Sequence, residues 1–187
     1  MARIVTILVL PFVLLLSTAQ APAEEQAAPE PAFRVSEVTI RRGYGPPEQG
    51  SSFPIAGSLR VPAGARPETG HPAVLFISGS GSQTRDGVQG GLDLGTREVL
   101  DAVAETGFVV LATDDRGVGK TPIGPNGIRT AAIGYDALVE DARACLAWLG
   151  KHAATDPKRV FIVGHSEGGL TAPILAAEGA VAGIVFM

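Results

Sequence analysis

Cysteine is nearly absent: Cys145 is the only one in 187 residues. A lone thiol excludes an internal disulfide and any cysteine-based metal cluster. Histidine is scarce too. His71, His152 and His165 are the only three, and they show no metal-ligand spacing. Basic charge does not dominate. Lys and Arg number 15 against 19 Asp and Glu, and the formal net charge is −4. No basic stripe stands out, so nucleic acid is not an indicated partner. Nor is there an apolar run long enough to cross a bilayer as a helix, which takes about 20 residues. Nothing in this composition implies a cofactor or a metal.

What is present suits one globular domain behind an export signal. The chain is 45% hydrophobic and 18% charged, enough for a real core. Arg3 precedes an apolar run, Ile4 to Leu16, broken only by Thr6 and Pro11. Ala19-Gln20-Ala21 and Ala21-Pro22-Ala23 are both A-x-A cleavage sites. Cleavage after Ala23 is preferred, because the other option leaves Pro22 at the scissile bond. Residues 1–23 are therefore expected to be a signal peptide, and the protein periplasmic or secreted, with no stable membrane anchor. No cysteine lies near the cleavage site, which argues against a lipoprotein. Residues 24–32 are rich in Ala, Pro and Glu and read as a flexible linker.

Past the linker, strand and helix patterns alternate. Phe33 to Arg41 reads as an edge strand, with Ser36, Val38 and Ile40 on one face. Ile55 to Val61 reads as its hairpin partner, stopped by Pro62. Ala73 to Ile77 is a continuous apolar run, hence a buried strand. A Gly/Ser loop extends from Ser78 to Gly95. Thr96 to Thr106 reads as a helix, with Val99, Leu100 and Val103 inward and Gly107 at its end. Phe108 to Ala112 is the next strand, and Pro122 to Gly127 a loop. Ile133 to Leu149 is an amphipathic helix with Leu138, Ala142, Cys145, Leu146 and Leu149 on one face, ended by Gly150. Thr155-Asp156-Pro157 is expected to turn the chain into a strand from Val160 to Gly164. Leu170 to Ala177 follows, apolar all round, with Pro173 expected to kink it. Val181 to Met187 is one more apolar strand. The alternation predicts an α/β fold of three α/β/α layers around a mainly parallel sheet.

Chemistry concentrates at Gly164-His165-Ser166-Glu167-Gly168-Gly169. A β-branched strand enters and an apolar helix leaves. That context fits a nucleophile elbow, where a serine is thrust outward at a strained bend and its neighbours two residues away must be small. An ordinary tight turn capped by serine has the same outline. Two other motifs are decoys. Gly117-Val118-Gly119-Lys120-Thr121 imitates the tail of a phosphate-binding loop, but Asp114 stands where glycine is needed and Pro122, Gly124 and Pro125 replace the helix start. Gly79-Ser80-Gly81 lacks the third glycine of a dinucleotide fingerprint, since Thr84 stands there. Asp114 and Asp115 follow a strand end, where they could border the site, and are read first as holding Arg116 and its turn. Arg85 and Asp86 are read as a loop ion pair, His152 as a solvated residue past a helix end, and His165 as packing inside the turn.

Three motifs, each after a strand, together resemble the α/β-hydrolase family, and within it the exported dienelactone-hydrolase-like or acyl-esterase members. Ile77-Ser78-Gly79-Ser80-Gly81 resembles the family's oxyanion loop. Asp115-Arg116-Gly117-Val118-Gly119-Lys120 resembles its D-x-R-G-x-G turn, and Gly164 to Gly169 its elbow. The likeness covers Phe33 to Met187. It implies a serine hydrolase that forms an acyl-enzyme on Ser166 from a small-molecule ester or thioester. Its oxyanion donors would be the N–H groups of Glu167 and Ser80, with Gly81 as fallback. The family places its acid and then its histidine after the serine. Here only Glu167 and Glu178 are acidic beyond Ser166, and no histidine follows. Strands carrying the acid and base are missing, so the sequence is expected to be part of a longer hydrolase and inactive alone. A secreted non-catalytic binding protein on a hydrolase scaffold is the alternative.

Overall fold

The structure is a computed structural model that describes residues 31–44, 50–124, 134–179 and 181–187. The expected signal, nearly all of the linker and the second half of the 122–127 loop lie outside these residues. Among the described residues, no helix is long and apolar enough to cross a membrane.

Two long strands open the fold. β1 (Phe33–Gly43) and β2 (Ser52–Pro62) form an antiparallel hairpin, with Phe33 opposite Pro62 and Gly43 opposite Ser52. Ile40 is buried and Val38 half-buried, as the alternation requires, while Ser36 lies beyond the core and is exposed. The remaining strands of the main sheet are β3 (His71–Ile77), β6 (Val109–Thr113), β7 (Thr155–Gly164) and β8 (Gly183–Phe186). Their order is β1-β2-β6-β3-β7-β8. β6, β3, β7 and β8 run parallel, and the hairpin joins antiparallel at β6. Between β3 and β6 the Gly/Ser loop folds into a small ribbon of β4 (Val88–Gln89) and β5 (Leu92–Asp93). The Gly90-Gly91 pair at its turn is the sequence signal for it.

Three helices complete the layers: α1 (Thr96–Glu105), α2 (Tyr135–Lys151) and α3 (Gly168–Ala177). Successive side chains on a strand point to opposite faces. Ala73, Leu75, Val109, Leu111, Val160 and Ile162 therefore meet α2 and α3 on one side of the sheet. Phe76, Val110 and Ala112 meet Leu100 and Ala104 of α1 on the other. This is the three-layer, mainly parallel architecture that the periodicity implied.

The boundaries differ in instructive places. β7 starts at Thr155, not Val160. Its pairing with β3 slips between His71 and Ala73, and Pro157 occupies that irregular stretch, where no ladder donor is needed. α2 runs through Gly150 to Lys151, and Val139 rather than Leu138 enters the core. α1 anchors through Leu100 and Ala104, leaving Val99 exposed. α3 is not buried all round: Leu170 is 65% and Ile174 41% exposed on the side away from the sheet. The helix continues through Pro173.

Candidate active site

β7 runs into α3 with almost no loop, and the sharpness of that bend decides the local chemistry. Ser166 is the one non-glycine residue with positive φ among those described, at +50°. Such a conformation is strained for a residue with a Cβ and persists only where the surroundings impose it. Here they do. A side chain at Gly164 would meet the Gly168 carbonyl oxygen at 2.5 Å, and one at Gly168 would collide with the Ile77 carbonyl. Backbone bonds lock the turn from both neighbouring strands. His165 N–H donates to Ile77 O at 3.0 Å, Ser166 N–H to Met187 O at 2.9 Å, and Gly169 N–H to Ser166 O at 2.9 Å. Ser166 is left exposed at the tip, over the N-terminus of α3.

The loop after β3 is pressed against this tip. A Cβ on Gly79 would lie 3.0 Å from Ser166 Cβ and 2.9 Å from His165 Nδ1. Gly79 is thus the loop residue in closest touch with the elbow, a contact that the sequence did not single out. The His165 ring packs against this loop. Ser80 and Gly81 follow directly, both exposed. No hydrogen bond from the Ser80, Gly81 or Glu167 N–H forms among the described residues.

Below the loop lie two neighbouring carboxylates with different partners. Asp114 is buried and clasps Arg85, with Oδ2 2.7 Å from Arg85 Nη2 and Oδ1 3.0 Å from Nε. Its carboxyl is held below the usual range. Its burial, which works the other way, is outweighed by that guanidinium and by N–H donors from Arg85 and Lys120. Asp115 pairs with no cation among the described residues. It accepts from Ser78 Oγ at 2.7 Å and from Gln83 N–H at 2.8 Å. Burial pushes its carboxyl up to about 6, helped by the charges of Asp114 and Glu167 and opposed by those two hydrogen bonds.

Three readings of the loops are corrected here. Arg116 is held by neither Asp114 nor Asp115. Asp141 of α2 grips it through Nε and Nη2, at 2.5 and 2.7 Å, and the guanidinium sits 4.6 Å from the Phe53 ring centroid. Arg85 does not pair with Asp86, which binds Arg97 at 2.8 Å. His152 is not a solvated cation. It is half-buried, its ring centroid 5.1 Å from that of Trp148, and burial lowers its pKa. The phosphate-loop imitation is a turn: Thr121 Oγ1 accepts from Ala56 N–H, and Lys120 pairs with Glu37.

A cavity of about 430 Å³ opens beside the elbow. Gly79, Gly81, Glu167 and Gly168 line it beside the elbow, Asp114, Asp115, Arg116 and Asp141 give it a charged side, and Ile55, Leu75, Ile77, Leu138, Ala142 and Cys145 give it apolar walls. The volume falls in the range of small-molecule sites. The histidines are poorly placed to serve Ser166. Ile77 pairs with Gly164 at the elbow end of the sheet, whereas His71 pairs with Thr155 at the other. His71, and His152 beside it in the chain before Thr155, thus lie a strand length away, about 20 Å.

The comparisons agree with this geometry. A family profile described as "Serine aminopeptidase, S33" matches residues 95–187, from the start of α1 through the elbow. A hypothetical protein from Pseudomonas aeruginosa is similar over 84% of this chain and 43% of its own, with TM-score 0.62 and 20% identity. A dienelactone hydrolase from Anabaena variabilis matches over 83% and 63%, with TM-score 0.60 and 24% identity. A bacterial heroin esterase matches over 83% and 44%, with TM-score 0.58 and 22% identity. The chain spans less than two thirds of the length of each. Its fold is that of the α/β hydrolases.

Proposed function

We propose that this chain supplies the nucleophile half of an exported serine hydrolase acting on small carboxylic esters or thioesters. The observation that carries the reading is Ser166, exposed at positive φ between glycines that admit no side chain, with the β3 loop against its Cβ. Ser166 Oγ attacks the substrate carbonyl and forms a tetrahedral intermediate. The N–H groups of Glu167 and Ser80 hold its oxyanion, with Gly81 as the fallback donor; each such donor is worth about 3 kcal/mol in the transition state. A base that His71, His152 and His165 do not supply takes the Ser166 proton and passes it to the departing alcohol or thiol, and water then frees the acid from Ser166. The acyl group lies in the cavity beside the elbow.

The proton acceptor is not His71, His152 or His165. This 187-residue chain is therefore expected to capture an acyl analogue slowly but not to turn over. A fluorophosphonate should label Ser166 stoichiometrically, and Ser166→Ala should remove the label, because amide donors alone retain part of the rate enhancement. Labelling at some other residue would refute the nucleophile. Rapid turnover of a p-nitrophenyl ester, lost in Ser166→Ala, would refute the missing base. The distance of His71 and His152 from the elbow also suits a secreted, non-catalytic binding protein, for which Ser166 should resist the probe entirely.

A further inference from the structure

Ser78 and Gln83 are the two ends of a short bridge. Between them lie Gly79, which touches the elbow, and Ser80 and Gly81, the proposed oxyanion donors. Both ends are gripped by one side chain from another strand. Asp115 Oδ1 accepts from Ser78 Oγ at 2.7 Å, and Oδ2 accepts from Gln83 N–H at 2.8 Å. Asp115 N–H returns a bond to Gln83 O at 3.0 Å. Gln83 is itself buried, and its Nε2 reaches back to the Ser80 carbonyl at 3.4 Å. The Ser80–Gly81 peptide is thereby tied, through Gln83, to the end of β6.

We propose that Asp115 is a positioning residue that fixes the Gly79–Ser82 segment, and so the loop-side oxyanion donor, against Ser166. This rests on the hydrolase reading for its purpose, though not for its geometry. The loop is glycine- and serine-rich and has no apolar anchor between Gly79 and Ser82; in its middle the Ser80 carbonyl also meets Gln89 Nε2, at 3.4 Å on the exposed side, and its ends are held by Asp115. Among the described residues no cation competes for the grip: Arg85 is committed to Asp114, and Arg116 to Asp141. Either protonation state can hold. The carboxylate accepts twice, while the neutral acid accepts from Gln83 and donates to Ser78 Oγ.

That symmetry supplies the test. Asn at this position still accepts from Gln83 and donates to Ser78, whereas Ala does neither. In Asp115→Ala, the Gln83 amide should lose its hydrogen-exchange protection, and fluorophosphonate labelling of Ser166 should slow about a hundredfold, the scale of an ångström-sized misplacement. Asp115→Asn should restore both. Ser78→Ala, which releases one end only, should fall between and keeps the test alive if Asp115→Ala fails to fold. Retained protection of Gln83 in Asp115→Ala, an unchanged labelling rate, or failure of Asn to rescue would each overturn the proposal. Should unmodified Ser166 take no probe at all, the hydrolase reading fails, and Gln83 protection alone still decides whether Asp115 clamps the loop.

Discussion

The two rims of the sheet are built differently. β1, at one rim, is eleven residues long, presents Arg34, Glu37 and Arg41 outward, and has Lys120 paired to Glu37 across its face. β8, at the other, is four residues long, and Val185, Phe186 and Met187 at its end are 51%, 61% and 52% exposed. Charge on an unpaired rim discourages a second chain from adding to it; apolar side chains invite one. The charged rim is remote from the elbow. The apolar rim is joined to it, since Met187 exchanges backbone bonds with Ser166 and Gly164.

One glycine-to-alanine change at the elbow and one at the β1 rim give the largest contrast. Gly168→Ala forces a Cβ into the Ile77 carbonyl and should cost about 3 kcal/mol or more, read by chemical denaturation. Gly43→Ala at the β1 rim meets only Ser51 O at 3.8 Å and should leave the midpoint in place. Equal effects would erase the contrast. Next in size is association. The chain should aggregate through β8, and Val185→Lys with Phe186→Lys should restore monomers by light scattering. If the double variant aggregates as strongly as the parent, the exposed rim is not the cause.

A pH dependence is smaller and comes from the interior. Asp115 sits at about 6 rather than 3.8, so the folded chain binds its proton more tightly than the unfolded chain does. Its stabilising contribution is full below about pH 4 and is lost as pH rises through 6. Asp115→Asn cannot ionise. Its stability relative to the parent should therefore climb between pH 4 and 7, by on the order of 3 kcal/mol at most. A flat difference would place the carboxyl's ionisation elsewhere. The smallest effect belongs to Glu37→Gln, which breaks a fully solvated pair with Lys120 and should leave the melting temperature unchanged in any salt. A clear shift would show that the charged rim is held by that pair.

The sequence carried the layer order and the elbow plainly, and for a shared reason. Continuous apolar runs such as Ala73 to Ile77, and glycines two residues either side of Ser166, are local signals that tertiary contacts reinforce. What escaped was long-range. Nothing near Arg116 announces Asp141, 25 residues on, and nothing near Asp115 announces Ser78 or Gln83. Those partners meet because β3 and β6 are parallel neighbours whose ends open on the same side. The start of β7 was hidden by Pro157, which ordinarily speaks against a strand and is tolerated here in a slipped register. The exposure of Leu170 and Ile174 was hidden because hydrophobicity reports a preference for cover, not the presence of it.

The bond from Ser166 N–H to Met187 O makes the β8 rim a lever. One peptide unit separates β8 from the Ser166 hydroxyl. A strand zipped onto β8 would brace that peptide, and a frayed β8 would let the hydroxyl swing. The set of the Ser166 backbone thus depends on β8 as well as on the glycines around the bend.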